Sequence, residues 1–167
     1  MEQPRPLASN DVLLQQVEAL REEQDMYRRA IAQAGGAPYV LDYRTNTYTF
    51  LGDAIEELTG WPPAEFHPDR WASIIVDSRT QGDQAGLSSF EAGERTRAGE
   101  FGRWRCDLLI RRRDGSLRWL SDGSIEIFGD DGRSVGSIGL LLDIDVRKRA
   151  EDQRARHDLE LKLLETQ

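Results

Sequence analysis

Cys106 is the only cysteine in the chain, and His67 and His157 are its two histidines, so the residue types that most often hold metals or attack substrates are scarce. Two isolated histidines give no metal-ligand spacing, and one thiol can neither close an internal disulfide nor build a cysteine-rich metal site. The sequence has no glycine-rich phosphate loop, no nucleophile elbow and no paired histidine, which leaves catalysis little to work with. Cys106 sits where apolar and charged side chains alternate, and it reads as a small buried hydrophobe rather than a reactive thiol. The acidic pair Asp130-Asp131 falls in a turn and faces solvent. Asp122 is the carboxylate of interest. If buried it must be hydrogen-bonded or neutral, and it could then recognise a polar ligand; at an exposed strand position it would have no such role.

These residues lie in, or are placed by, three consecutive strands. From Phe101 to Arg112, Trp104, Cys106, Leu108 and Ile110 alternate with Arg103, Arg105, Asp107 and Arg111, the period of a half-buried strand. Asp114-Gly115 turns the chain into a second strand, Ser116 to Phe128, and Gly129 to Gly132 turns it into a third, Ser134 to Ile144. The third strand is nearly continuous in apolar and small residues, so it needs cover on both faces.

The totals bound what surrounds the strands. A chain of 167 residues holds one ordinary domain plus extensions. A net charge of −8 argues against a nucleic-acid footprint. No window approaches the run of about 18 to 20 apolar residues that a membrane span needs, and no signal-peptide pattern opens the chain. With a single cysteine, the expectation is a soluble protein of a reducing, cytoplasmic compartment.

Residues 1–9 read as disordered and 10–34 as a helix. Its apolar seam alternates four and three: Leu13, Leu20, Tyr27 and Ala34 at one heptad position, Val17, Gln24 and Ile31 at the other. That suits a coiled-coil pairing of two chains, or an amphipathic helix docked on its own domain, or both in succession. Gly35-Gly36 ends the helix. Tyr39 to Tyr43 and Thr47 to Leu51 form a hairpin, and Asp53 with Glu56 predicts a capping box for a short helix ending at Gly60. Another short helix is expected near Glu65 to Trp71, and one more somewhere between Arg79 and Arg95. Residues 146–167 contain no glycine or proline and predict an outgoing helix, which looks cut from a longer protein.

Four runs, in this order, resemble those of PAS domains: Glu57-Leu58-Thr59-Gly60-Trp61, Phe66-His67-Pro68-Asp69-Arg70, Arg112 to Trp119, and Asp143-Ile144-Asp145 with the following Val146 to Glu151. The resemblance covers about Ala37 to Glu151, with Asp145 standing where the family's closing motif has threonine. It implies an α+β domain over 35–145, with a five-stranded antiparallel sheet, short helices on one face enclosing a pocket, and coiled-coil-like helices flanking it at both ends. It also implies that Cys106, Leu108, Ile110, Leu120, Asp122, Ser124, Gly139 and Leu141 point into the pocket. Leu109, Trp119, Ile138, Leu140 and Leu142 then point outward beneath Val17 to Ile31 of the first helix, at a homodimer interface. Asp143, Ile144 and Asp145 would couple the sheet to the outgoing helix and its effector.

The resemblance names no cofactor. In the family's light-oxygen-voltage photoreceptors a flavin forms an adduct with a cysteine, whose place falls at Trp71, and touches a glutamine, whose place falls at Leu141; a flavin photoadduct is therefore not expected. Haem is not expected either. His67 lies in a segment where histidine commonly ligates nothing, His157 lies on the outgoing helix, and Arg79 to Gly99 holds no histidine. The reading is a non-enzymatic sensor and dimerisation module of a cytoplasmic signal-transduction protein, passing a pocket or partner signal through its flanking helices to an effector such as the histidine kinase of a two-component system, without nucleic-acid or membrane partners. The alternatives are a ligand-free dimerisation scaffold and the sensor of a diguanylate cyclase.

Overall fold

The computed structural model describes residues 7–166, and the chain divides after Ala34 into two units. The first unit is the helix α1 (Leu7–Gln33). Along it Leu13, Val17, Leu20, Gln24 and Tyr27 are exposed and Ile31 is half-buried. Of the span expected to be disordered, residues 1–6 lie outside the described residues, whereas Leu7 to Ser9 are helical; Leu7 and Ala8 are strong helix formers that extend α1 ahead of Asn10.

The second unit runs through β1 (Ala37–Asp42), β2 (Thr47–Leu51), α2 (Ala54–Thr59), α3 (Pro68–Ile74), β3 (Ile75–Thr80), α4 (Ser89–Arg97), β4 (Trp104–Arg111), β5 (Leu117–Phe128), β6 (Ser134–Asp143) and α5 (Asp145–Glu165). Its strands form one antiparallel sheet in the order β2-β1-β6-β5-β4-β3. The sheet therefore has six strands, not the five expected. The additional strand, β3, pairs with β4 along an otherwise open edge. Its β-branched Ile75, Val76 and Thr80 suit a strand, but as an edge strand it is mostly polar and shows no apolar alternation to read.

The helix expected between Arg79 and Arg95 is α4, and it begins later, at Ser89, because Ser88 accepts the Glu91 N–H at 3.1 Å and caps it. The capping box expected at Asp53 does not form: Asp53 is itself in helical conformation and its side chain makes no capping hydrogen bond. The Gly52 and Asp53 carbonyls accept the N–H groups of Ile55 and Glu56 in the first turn of α2.

Two of the sequence runs meet in space. Gly60 ends α2 at φ +87°, and a Cβ there would stand 2.8 Å from the Arg113 Cβ. The close approach lets Arg113 N–H donate to the Thr59 carbonyl at 2.9 Å, while the Arg112 guanidinium donates to the carbonyls of Leu58 and Glu57 at 3.2 and 2.8 Å. The orphan carbonyls at the end of α2 are thereby satisfied from the β4–β5 turn. The core beneath them gathers Ile55 and Leu58 of α2, Phe66 and Ile74, and Cys106, Leu108, Ile110, Leu120 and Leu141 of the sheet.

Candidate functional site

Alternation along β5 places Asp122, Ser124 and Glu126 on one face, and that face forms the wall of a cavity of about 230 Å³. Tyr39 and Leu41 of β1, Tyr43, Tyr48 of β2, Trp71 of α3, Trp104 of β4, and Ser137 and Leu141 of β6 also line it. The fourth side is α4, which contributes Ser89, Gly93, Thr96 and Arg97. A buried glutamine holds α4 in place: the Gln84 amide donates to Thr96 Oγ1 and to the Arg103 carbonyl, both at 2.8 Å, and its oxygen accepts the Arg105 N–H.

Asp122 is the buried centre of this wall. Tyr39 Oη donates to its Oδ1 at 2.8 Å and Trp104 Nε1 to its Oδ2 at 3.1 Å. Burial pushes its carboxyl up to about 6, against the opposing effect of these two hydrogen bonds. The same burial, with the Asp122 charge beside it, raises the Tyr39 hydroxyl well above its usual range and pushes the Cys106 thiol up to about 12. Cys106 is thus an inert neighbour at neutral pH. Tyr39 reaches Asp122 only because residue 139 is glycine, where a Cβ would fall 2.3 Å from the tyrosine Oη. At the other end of the wall Glu126 accepts from Tyr43 Oη at 2.9 Å and from the Ser134 hydroxyl, and the Arg97 guanidinium lies 4.3 Å from the Tyr43 ring centroid.

Of the residues expected to face inward, Asp122, Ser124 and Leu141 line the cavity, while Cys106, Leu108, Ile110 and Leu120 are buried in the core beside it. Trp71, at the photoreceptor-cysteine place, lines the cavity as well. His67 is used structurally: its Nδ1 accepts the Arg70 N–H at 3.2 Å and caps α3. His157 is exposed on α5. Among the described residues no group of histidine, cysteine and carboxylate side chains is arranged to hold a metal.

The other face of the sheet meets α5. Ile138 is exposed, Leu109, Leu140 and Leu142 are half-buried, and Trp119 is buried, with Arg79 at 4.8 Å and Lys148 at 5.4 Å from its ring centroid. Both peptide groups of Trp119 hold the start of α5: its N–H donates to Asp145 Oδ1 at 3.1 Å, and its carbonyl accepts the Ile144 N–H at 3.0 Å. Burial pushes the Asp145 carboxyl up, but Arg149 at 2.6 Å and the Trp119 N–H outweigh it and hold the carboxyl below its ordinary value. Asp143 accepts the Asp145 N–H at 2.9 Å and pairs with Arg118 at 3.0 Å. One turn on, the buried Lys148 ammonium pairs with the buried Asp107 at 2.8 Å. Sequence reasoning missed this pair, as it missed Gln84 and Tyr39, because each partner lies on a different element.

No protein-family model matches the sequence, and no curated protein does. Solved structures do match. A sensory box histidine kinase/response regulator from Burkholderia thailandensis E264 superposes with a TM-score of 0.61 at 18% identity, over 81% of this chain and 97% of that one. An RNA-binding light-oxygen-voltage receptor gives 0.58 at 21% identity, over 83% and 38%. The N-terminal domain of a diguanylate cyclase with PAS/PAC sensor from Marinobacter aquaeolei gives 0.54 at 22% identity, over 68% and 98%. No helix among the described residues is long and apolar enough to cross a membrane. The fold is that of the PAS domain.

Proposed function

We propose that this PAS-fold chain is the sensor module of a signal-transduction protein: occupancy of the Asp122 cavity biases β5, and β5 passes the bias to α5 and an effector beyond it. The chain itself does no chemistry. One observation supports the reading above the rest: Asp122 and Trp119 belong to the same strand, three residues apart, one lining the cavity and the other gripping Asp145 and Ile144 through its backbone. A shift of β5 caused by a ligand at Asp122 must therefore strain or release the first turn of α5. Kinase and cyclase sensors both occur among the structural neighbours, and a histidine kinase is the effector proposed here. The exposed seam of α1 supports pairing of two chains through that helix, with the apolar outer sheet face as further cover. The single buried thiol suits a reducing, cytoplasmic setting.

The test is hydrogen exchange over residues 145–150 in the 167-residue chain. Asp122→Asn is expected to change protection there, although it lies on the opposite face of the sheet. Asp145→Ala should loosen the same residues and abolish any further response to Asp122→Asn, with far-UV circular dichroism unchanged. Exchange in α5 that ignores Asp122→Asn would refute the coupling.

A further inference from the structure

We infer that the cavity is built for a small organic cation: an alkylammonium or guanidinium compound of few heavy atoms. The inference rests on the sensing reading above and specifies its ligand. The wall presents two carboxylates, Asp122 and Glu126, and neither has a lysine, arginine or histidine ion-pair partner among the described residues. Asp122 is buried with only two neutral donors, Tyr39 and Trp104, so part of its capacity to accept hydrogen bonds is unused. A buried carboxylate compensated in this way is costly, and a bound cation would supply the missing countercharge.

The remaining lining fits the same class. Five aromatic side chains border the cavity, and aromatic faces attract cations. Arg97 demonstrates this within the molecule, since its guanidinium already lies over Tyr43 at the rim. Among the described residues Arg97 is the only basic one in the lining, leaving an excess of negative charge that would repel an anion. The volume, about 230 Å³, is on the order of eight waters at ~30 Å³ each, which limits the guest to a small molecule.

The probes are n-butylamine, 1,4-diaminobutane, n-butylguanidine and choline, with n-butanol and butyrate as size-matched neutral and anionic controls. Binding is read by calorimetry and by quenching of the tryptophans, two of which border the cavity. At least one cation should bind more tightly than both controls. Asp122→Asn should weaken that binding about ten- to a hundredfold with the circular dichroism spectrum retained, as loss of a charge-assisted contact predicts. Arg97→Ala should strengthen it, a gain that misfolding cannot imitate. The proposal is overturned if no cation outbinds the controls, if Asp122→Asn binds the cation as the parent does, or if Arg97→Ala weakens binding. Because the hydrogen-exchange test of coupling uses no ligand, failure of the cation assignment is separable from failure of the sensing reading.

Discussion

Replacing Asp122 with asparagine should change the pH dependence of stability more than stability itself. The folded protein holds the Asp122 proton with a pKa of about 6, against a usual value of 3.8. The native state thus binds this proton more tightly than the unfolded chain. The stability it contributes is fully present below pH 3.8 and is lost as pH rises through about 6. Two pK units at about 1.4 kcal/mol each amount to roughly 3 kcal/mol lost between about pH 4 and pH 7. Asparagine has no proton to lose at these pH values. Its oxygen can accept from Trp104 and its amide can donate to Tyr39 Oη, so both contacts have replacements.

The groups that face Asp122 are Tyr39 of β1, Tyr48 of β2 and Trp104 and Cys106 of β4, with Glu126 on its own strand and Arg97 on α4 in the same lining. All are common to both proteins, so the difference between the two stability profiles isolates Asp122. Urea unfolding followed by far-UV circular dichroism, at half-unit steps from pH 4 to 7.5, should show the variant gaining on the parent by about 2–3 kcal/mol across the range. Parallel profiles would mean that burial does not raise the Asp122 carboxyl, and the account of the cavity's electrostatics would fall with it.

Gly139→Ala should destabilise the protein by about 2–4 kcal/mol, because its Cβ collides with Tyr39 and the tyrosine must leave Asp122. Thermal unfolding of Gly139→Ala and of Gly139→Ala with Tyr39→Leu checks this, and the double variant should recover part of the loss. Leu20→Asp, at the centre of the α1 seam, should convert a dimer to a monomer in sedimentation equilibrium. A dimer unaffected by this change would place the pairing elsewhere.

How much of this was legible in the sequence depends on the range of the interaction concerned. The long strands β4, β5 and β6 declare themselves because alternation is local, and the phasing that follows places Cys106, Asp122 and Leu141 on one face of the sheet. The edge strand β3 was missed because its solvent-facing positions are polar and its partner, β4, lies beyond an intervening helix. The Ser88 cap was readable as serine followed three residues later by Glu91, but it is submerged in a glycine-spotted polar stretch. Asp122 could be suspected, yet its hydrogen bond to Tyr39 joins residues 83 positions apart, and only the fold brings them together. The glycine that makes room for that bond carries no signal of its own.

The Lys148–Asp107 pair has a mechanical corollary. Both groups are buried, so drawing one from the other would strand a charge in the protein interior, and sliding of α5 along the sheet is penalised. Every described residue from Glu151 onward is exposed, so the restraints on the helix lie in its first two turns, at the Trp119 backbone bonds and the Lys148–Asp107 pair. What remains is pivoting. With a rise of 1.5 Å per residue, the helix from Lys148 to Glu165 is a lever about 25 Å long, and a tilt of about 10° at the lysine carries its tip about 4 Å. In the sensing role proposed above, that swing is the form in which a shift of β5 would leave the domain along α5.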